Sequence, residues 1–194
     1  MALLLAALLL SSSVLGAPAA HGRPGKAVVL NTWPFVNATI KAYSVLRQTD
    51  DVLRAVELGV STCETEQCDH TVGYGGSPDE IGQTTLDAMI MNGDTIEVGS
   101  AVNLHQTKSA ISAARLVMER TNHTMLAGRD ADAFAEMMGL PQSTLITNFS
   151  RSLWSQWKAN SCQPNYRRNV SIGNRKALRD QCVREALAQE WQES

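Results

Sequence analysis

The chain has 194 residues, 44% of them hydrophobic and 19% charged, a balance that fits one globular domain with a core and excludes a disordered chain. Its formal net charge is −2, and its basic clusters are the short pairs Arg167-Arg168 and Arg175-Lys176. Neither gives an electrostatic basis for binding nucleic acid or an anionic membrane surface.

Residues 3–10 are an apolar run, too short to span a bilayer as a helix, and small residues follow. They read as a secretory signal peptide over residues 1–17, removed near Gly16 or Ala17, with no later stretch long enough to be transmembrane. The rest is expected to be lumenal and soluble. An oxidising route suits the even set Cys63, Cys68, Cys162 and Cys182. The first two can close a small local loop, and the last two would form a second pair. The rival reading, a zinc site at Cys63 and Cys68, lacks a second close Cys or His pair, so no metal is expected. N-glycosylation sequons stand at Asn37, Asn122, Asn148 and Asn169.

In chain order, residues 27–30 (Ala-Val-Val-Leu) read as a buried strand that delivers Trp33 before Pro34 stops the ladder. Asn37 is placed to cap a helix over residues 38–47 with Ile40, Tyr43 and Leu46 on one stripe. Asp50 or Asp51 caps a second helix whose buried face is Val52, Leu53, Val56 and Val60, and both helices are expected to pack on a sheet. Gly73, Gly75 and Gly76 then let backbone pass close to a strand or a ligand, and residues 77–80 form a turn. Leu86, Ala88 and Ile90 alternate with Asp87, Met89 and Met91 as a strand, Asn92-Gly93 signals a hairpin, and residues 96–98 return as its second strand.

Residues 108–120 follow as a helix with Ile111, Ala114, Val117 and Met118 at core spacing, then a short strand over 124–127 ending at Gly128. Helices are expected over 130–138, 143–158 (with Leu145, Phe149, Leu153 and Trp157 four apart) and 174–191. This order implies an α+β fold. No nucleophile elbow, phosphate-binding loop or His-Glu-x-x-His is present, and His21, His70, His105 and His123 sit in no general-base motif.

Several runs resemble one family. They are Val28-Val-Leu-Asn-Thr-Trp-Pro-Phe35 with Asn37-Ala-Thr39, Cys63-Glu-Thr-Glu-Gln-Cys68, Val72-Gly-Tyr-Gly-Gly-Ser-Pro-Asp-Glu80, Thr84-Thr-Leu-Asp-Ala-Met-Ile-Met91, Cys162-Gln-Pro-Asn-Tyr166 and Arg168-Asn-Val170. Over about residues 28–170 they resemble glycosylasparaginases, N-terminal nucleophile hydrolases with an αββα four-layer sandwich. The resemblance implies hydrolysis, in lysosomes, of the amide joining N-acetylglucosamine to asparagine, with no cofactor. In that family a precursor cuts itself between an Asp and a Thr. The freed Thr, first residue of the β-chain, is then both nucleophile and, through its α-amine, base.

After Ser171 this sequence departs from the family and ends before a β-chain begins. Residues 18–170 are therefore expected to be an α-chain-like half, with 171–194 a divergent C-terminal helix and no catalytic residue present. Asp94-Thr95 has the form of the cleavage dipeptide, but it falls where the family has an ordinary turn, and it is not taken as one. By the resemblance, Trp33 is a substrate-covering wall, and Thr71 stands where the family has a serine hydroxyl near the nucleophile. Cys63–Cys68 carries over as a disulfide, and Cys162 matches a family cysteine whose partner lies in the divergent region. The implied partners are a β-chain or a full-length subunit, in a heterotetramer of two α- and two β-chains, and a glycosyl-asparagine substrate. A half that misfolds would be retained in the endoplasmic reticulum. The alternative reading is a non-catalytic lumenal isoform that binds glycans or pairs with a subunit.

Overall fold

A computed structural model describes residues 27–160 and 162 of the chain. The expected signal peptide and C-terminal helix, and the residues Asn169 and Cys182, lie outside the described residues.

Among the described residues, five helices and three strands follow in the order α1 (Val36–Thr49), α2 (Val52–Glu66), β1 (Leu86–Met91), β2 (Val98–Leu104), α3 (Ala110–Arg120), β3 (Met125–Ala127), α4 (Gly128–Met137) and α5 (Asn148–Ala159). The content is α+β. The sheet runs β1-β2-β3, with β1 antiparallel and β3 parallel to β2. Its register sorts the side chains. Ala88, Ala101 and Leu126 form one cross-strand row, and Met89, Ser100 and Met125 form the next, on the opposite face. The first face lies under α3, where Leu86, Ile90, Ala101, Ile111 and Ala114 make the core. Gly99 is required there, because a Cβ would meet Ala114 O and lie 2.5 Å from Met118 N.

The pairing slips between Leu86 and Ala88, and opposite the slip Asn103 takes a left-handed φ of 53° while its N–H donates to Asp87 Oδ1 at 2.7 Å. This bulge returns Leu104 to the core face only three residues after Ala101.

Several expectations need correcting. Residues 27–30 form no strand, and Val28 and Leu30 are exposed, because no neighbouring strand pairs with them among the described residues. Ile96 is not in a strand: with φ 63° it closes a wider loop in which Ile96 N–H donates to Asn92 O and Asp94 N–H to the Asn92 side chain. The return strand therefore begins at Val98. The last described helix starts at Asn148, not at residue 143, where Thr147 and Ser150 form a reciprocal cap.

Asn37 does not cap α1, which begins at Val36 with no side-chain cap, whereas Asp51 does cap α2 through Arg54 N–H at 2.8 Å. The expected faces of these two helices are largely reversed, except at Leu53, which is half-buried and packs against the core. Ala38, Ala42 and Val45 of α1 and Ala55 and Gly59 of α2 are buried, while Ile40, Tyr43, Val52, Val56 and Val60 are exposed. Small residues win the seam because they bring the axes close: a Cβ on Gly59 would lie 2.8 Å from Ala42 Cβ. The two helices do not lie on the sheet as a pair. α1 packs on α2, α2 on α3, and α3 on β1 and β2.

Candidate functional site

The segment before α1 and the loop after α2 leave the same end of the helix pair, joined by a 3.0 Å bond from Asn37 Nδ2 to Glu66 Oε2. In the first segment the Trp33 backbone is fixed by its N–H to Asn31 Oδ1 at 3.1 Å and by Phe35 N–H to its carbonyl at 2.8 Å. Its side chain is bare, 66% exposed. That presents a flat apolar face with one N–H donor, the equipment for stacking on a sugar.

The second segment starts from the disulfide Cys63–Cys68, which takes both sulfurs out of any metal site and closes the last turn of α2. Gln67 ends the helix in a left-handed conformation. Asp69 then gathers the loop, its Oδ1 accepting from Thr71 N–H at 2.7 Å, Thr71 Oγ1 at 2.8 Å and Val72 N–H at 3.1 Å. The Thr71 amide, helped by its hydroxyl, the Val72 amide and the charge of His70, holds the Asp69 carboxyl below the usual carboxylate range against the opposing effect of burial. Thr71 thus spends its hydroxyl proton on Asp69 and keeps its oxygen lone pairs outward, as an acceptor. The His70 ring meets Phe149 at 4.7 Å, tying the loop to α5.

The glycines beyond this loop approach protein. A Cβ on Gly73 would stand 3.1 Å from Glu64 Cα, one on Gly75 would stand 2.7 Å from the Thr147 methyl, and one on Gly76 would stand 2.7 Å from Thr71 O. Gly75 N–H donates to Leu145 O at 2.7 Å. Trp154 covers Gly82 and donates from its indole to Glu80 O at 3.1 Å. The Gly-rich stretch therefore fixes the Thr71 loop between α2 and α5.

A cleft of about 370 Å³, lined by neither Trp33 nor Thr71, lies between the end of β2 and α4. Its central group is the buried Asp132, which accepts from the N–H groups of His105, Gln106 and Thr107 at 2.7, 3.1 and 3.0 Å and from Thr107 Oγ1 at 2.8 Å. With those four bonds the carboxylate holds the turn after β2. The sequence reading missed this group, since it lies 25–27 residues from its donors.

The remaining sites are dispersed. Thr95 is exposed at the hairpin tip with its hydroxyl on Glu97 Oε2 at 2.8 Å. Asn122 and Asn148 are exposed. Cys162 is buried and disulfide-bonded, and the expected partner Cys182 lies outside the described residues. Trp33 and Thr71 share one end of the molecule, while Thr95 and Asn122 stand on separate connections of the sheet.

A family described as asparaginase (Asparaginase_2) matches residues 15–186. The N(4)-(beta-N-acetylglucosaminyl)-L-asparaginase of Mus musculus is 52% identical over 163 residues, covering 84% of this chain and 47% of that protein. The Rattus norvegicus protein of the same name is 51% identical over 162 residues, with the same shares of 84% and 47%. The chain spans about half the length of these curated relatives. With the family pattern running through most of its residues, including the Trp33 and Thr71 segments, the chain belongs to the asparaginase family.

Proposed function

We propose that residues 18–170 are the α-chain half of a glycosylasparaginase, a lysosomal hydrolase of the amide joining N-acetylglucosamine to asparagine in glycoprotein breakdown. The observation that carries this reading is the sheet. One face lies under α3, while the other bears Met89, Met91 and Met125, all exposed. A bare apolar sheet face is the surface that a second sheet covers in a four-layer sandwich. The relatives, twice as long, have the chain length to supply one.

In this reading the β-chain completes the fold and brings the amine-bearing threonine whose hydroxyl attacks the amide carbonyl. Trp33 walls the sugar or asparagine side of the pocket. Thr71, held by Asp69, offers an acceptor to a polar hydrogen of the substrate or of the nucleophile. Thr95 takes no part. Two such α/β pairs form the working heterotetramer, and the 194 residues alone do not turn over substrate.

The test is release of aspartate from a glycosyl-asparagine by the purified chain, alone and after co-expression with the β-chain of the mouse relative. Activity is expected only in the co-expressed sample, falling at least tenfold with Trp33→Ala. Turnover by the lone chain, or a new amino terminus at Thr95 in its intact mass, overturns the reading.

A further inference from the structure

Three sequons fall within the described residues, and they differ in what their side chains do. Asn37 lies in the first turn of α1 with its amide nitrogen on Glu66, and the Thr39 hydroxyl is bonded to Phe35 O at 3.1 Å. Asn148 opens α5 and accepts from Arg151 at 3.0 Å, while the hydroxyl residue of its sequon, Ser150, is 0% exposed inside the helix cap.

Asn122 sits in the short connection between α3 and β3, and its whole sequon, Asn122-His123-Thr124, is exposed. The turn holds its shape without the Asn122 side chain. Thr121 Oγ1 donates to Val117 O at 2.8 Å and accepts from His123 N–H at 2.9 Å. An attached sugar at residue 122 therefore breaks no contact that the folded chain makes, and it extends from a loop into solvent.

We propose that Asn122 carries an N-linked oligosaccharide, an inference that rests on the secretory reading of residues 1–17. The co-reactant is a polyprenyl-diphosphate-linked oligosaccharide. The Asn122 Nδ2 attacks the anomeric carbon of its first sugar, forming the N–C bond as the C–O bond to the diphosphate breaks. The polyprenyl diphosphate leaves, and one amide proton passes to the transferase. Because attachment precedes folding, the requirements on the chain are an accessible Asn-x-Thr and a folded site that tolerates the bulk, and residue 122 meets both.

The full chain is expressed in mammalian cells, its membrane fraction is treated with protease, and the protected material is deglycosylated by peptide N-glycosidase in heavy-oxygen water. Expected are a protease-protected chain, heavy-isotope aspartate at position 122, and the loss of one glycan's gel shift in Asn122→Gln and Thr124→Ala but not in Thr124→Ser. A protected chain that is unmodified at 122, even with label at 37 or 148, overturns the proposal alone. An unprotected, unmodified chain overturns the secretory reading and the proposal with it.

Discussion

Around the sheet, β2 and α3 bury Leu104, Ile111 and Val117, and their neighbours Leu86 and Ile90 complete an apolar core. The α1/α2 pair instead buries Ala38, Ala42, Ala55 and Gly59 and leaves Val36, Ile40, Tyr43, Val52 and Val56 in solvent. Both regions have apolar residues at helical spacing, so the period does not separate them. What separates them is which residues meet a neighbour. Around α3 the large side chains Leu86, Ile90, Leu104 and Ile111 fill the space between helix and sheet beside buried alanines, with Gly99 at a point of close approach. Between α1 and α2 the small side chains make most of the seam, with Val45 as the one larger residue of α1 buried there. Six large apolar groups on one helix pair, Val60 included, remain unburied, as expected of a surface that a further layer is to cover.

The comparison is broken most severely at Leu104, 0% exposed on the core side of the bulge. Leu104→Ala removes a buried isobutyl group and leaves a cavity that α3 and the sheet cannot close without shifting. The expected loss is about 3–5 kcal/mol of unfolding free energy in urea titration. A loss below about 1 kcal/mol would mean that this region is packed no better than the helix pair.

How much of this could be read beforehand follows the same division. β1, α3, β3 and α4 were legible because strong apolar periodicity and glycine stops coincide, as at Gly128 and Gly139. The buried faces of α1 and α2 were not, because Ile40 and Val56 outweigh Ala42 and Gly59 in any apolar pattern, whereas the close seam selects the smaller residues. Residues 27–30 look like a strand, but a strand exists only with a partner to pair with. At the candidate site, Trp33 and Thr71 were reached through the family resemblance. The Asp69 hook and the Asp132 clasp were not, since a carboxylate in sequence does not announce the amides that it will accept from. The same holds for the start of α3, whose cap is not the adjacent Ser109 but Glu64, far back in α2.

That cap is where the two regions meet, and it supplies the second test. Glu64 Oε1 accepts from Ile111 N–H at 3.1 Å. Burial pushes its carboxyl up from 4.5 to about 7, against the opposing pull of the Ile111 and Ala110 amides and with help from the charge of Glu57. Between these two values the folded chain keeps a proton that the unfolded chain has lost. The contribution of this group to stability is therefore full below about pH 4.5 and is lost as pH rises through about 7, by about 3 kcal/mol in all. Melting temperature should rise as the buffer is taken from pH 8 to pH 5. In Glu64→Gln the same pH change should leave the part due to this group absent. An unaltered pH response in that variant would remove the α2–α3 seam as its source.

The smallest effect belongs to the outer face of α1, and it sharpens the comparison from the other side. Ile40 is 62% exposed, so Ile40→Ser gives up only a minor part of the roughly 1.5–3 kcal/mol that full burial of such a side chain contributes. Serine and isoleucine also have similar helix propensities. In the purified chain the change should therefore stay within about 0.5 kcal/mol, below what Leu104→Ala costs by several-fold. If another layer covers this face in the assembled protein, the same substitution made there should cost more, about 1–2 kcal/mol, because Ile40 is then buried in the folded assembly and the serine hydroxyl has to be desolvated there. The diagnostic quantity is the difference between the two measurements. An equal, small effect in both would leave the α1 face as plain solvent-exposed surface, and the unburied side chains of α1 would then need no covering layer to explain them.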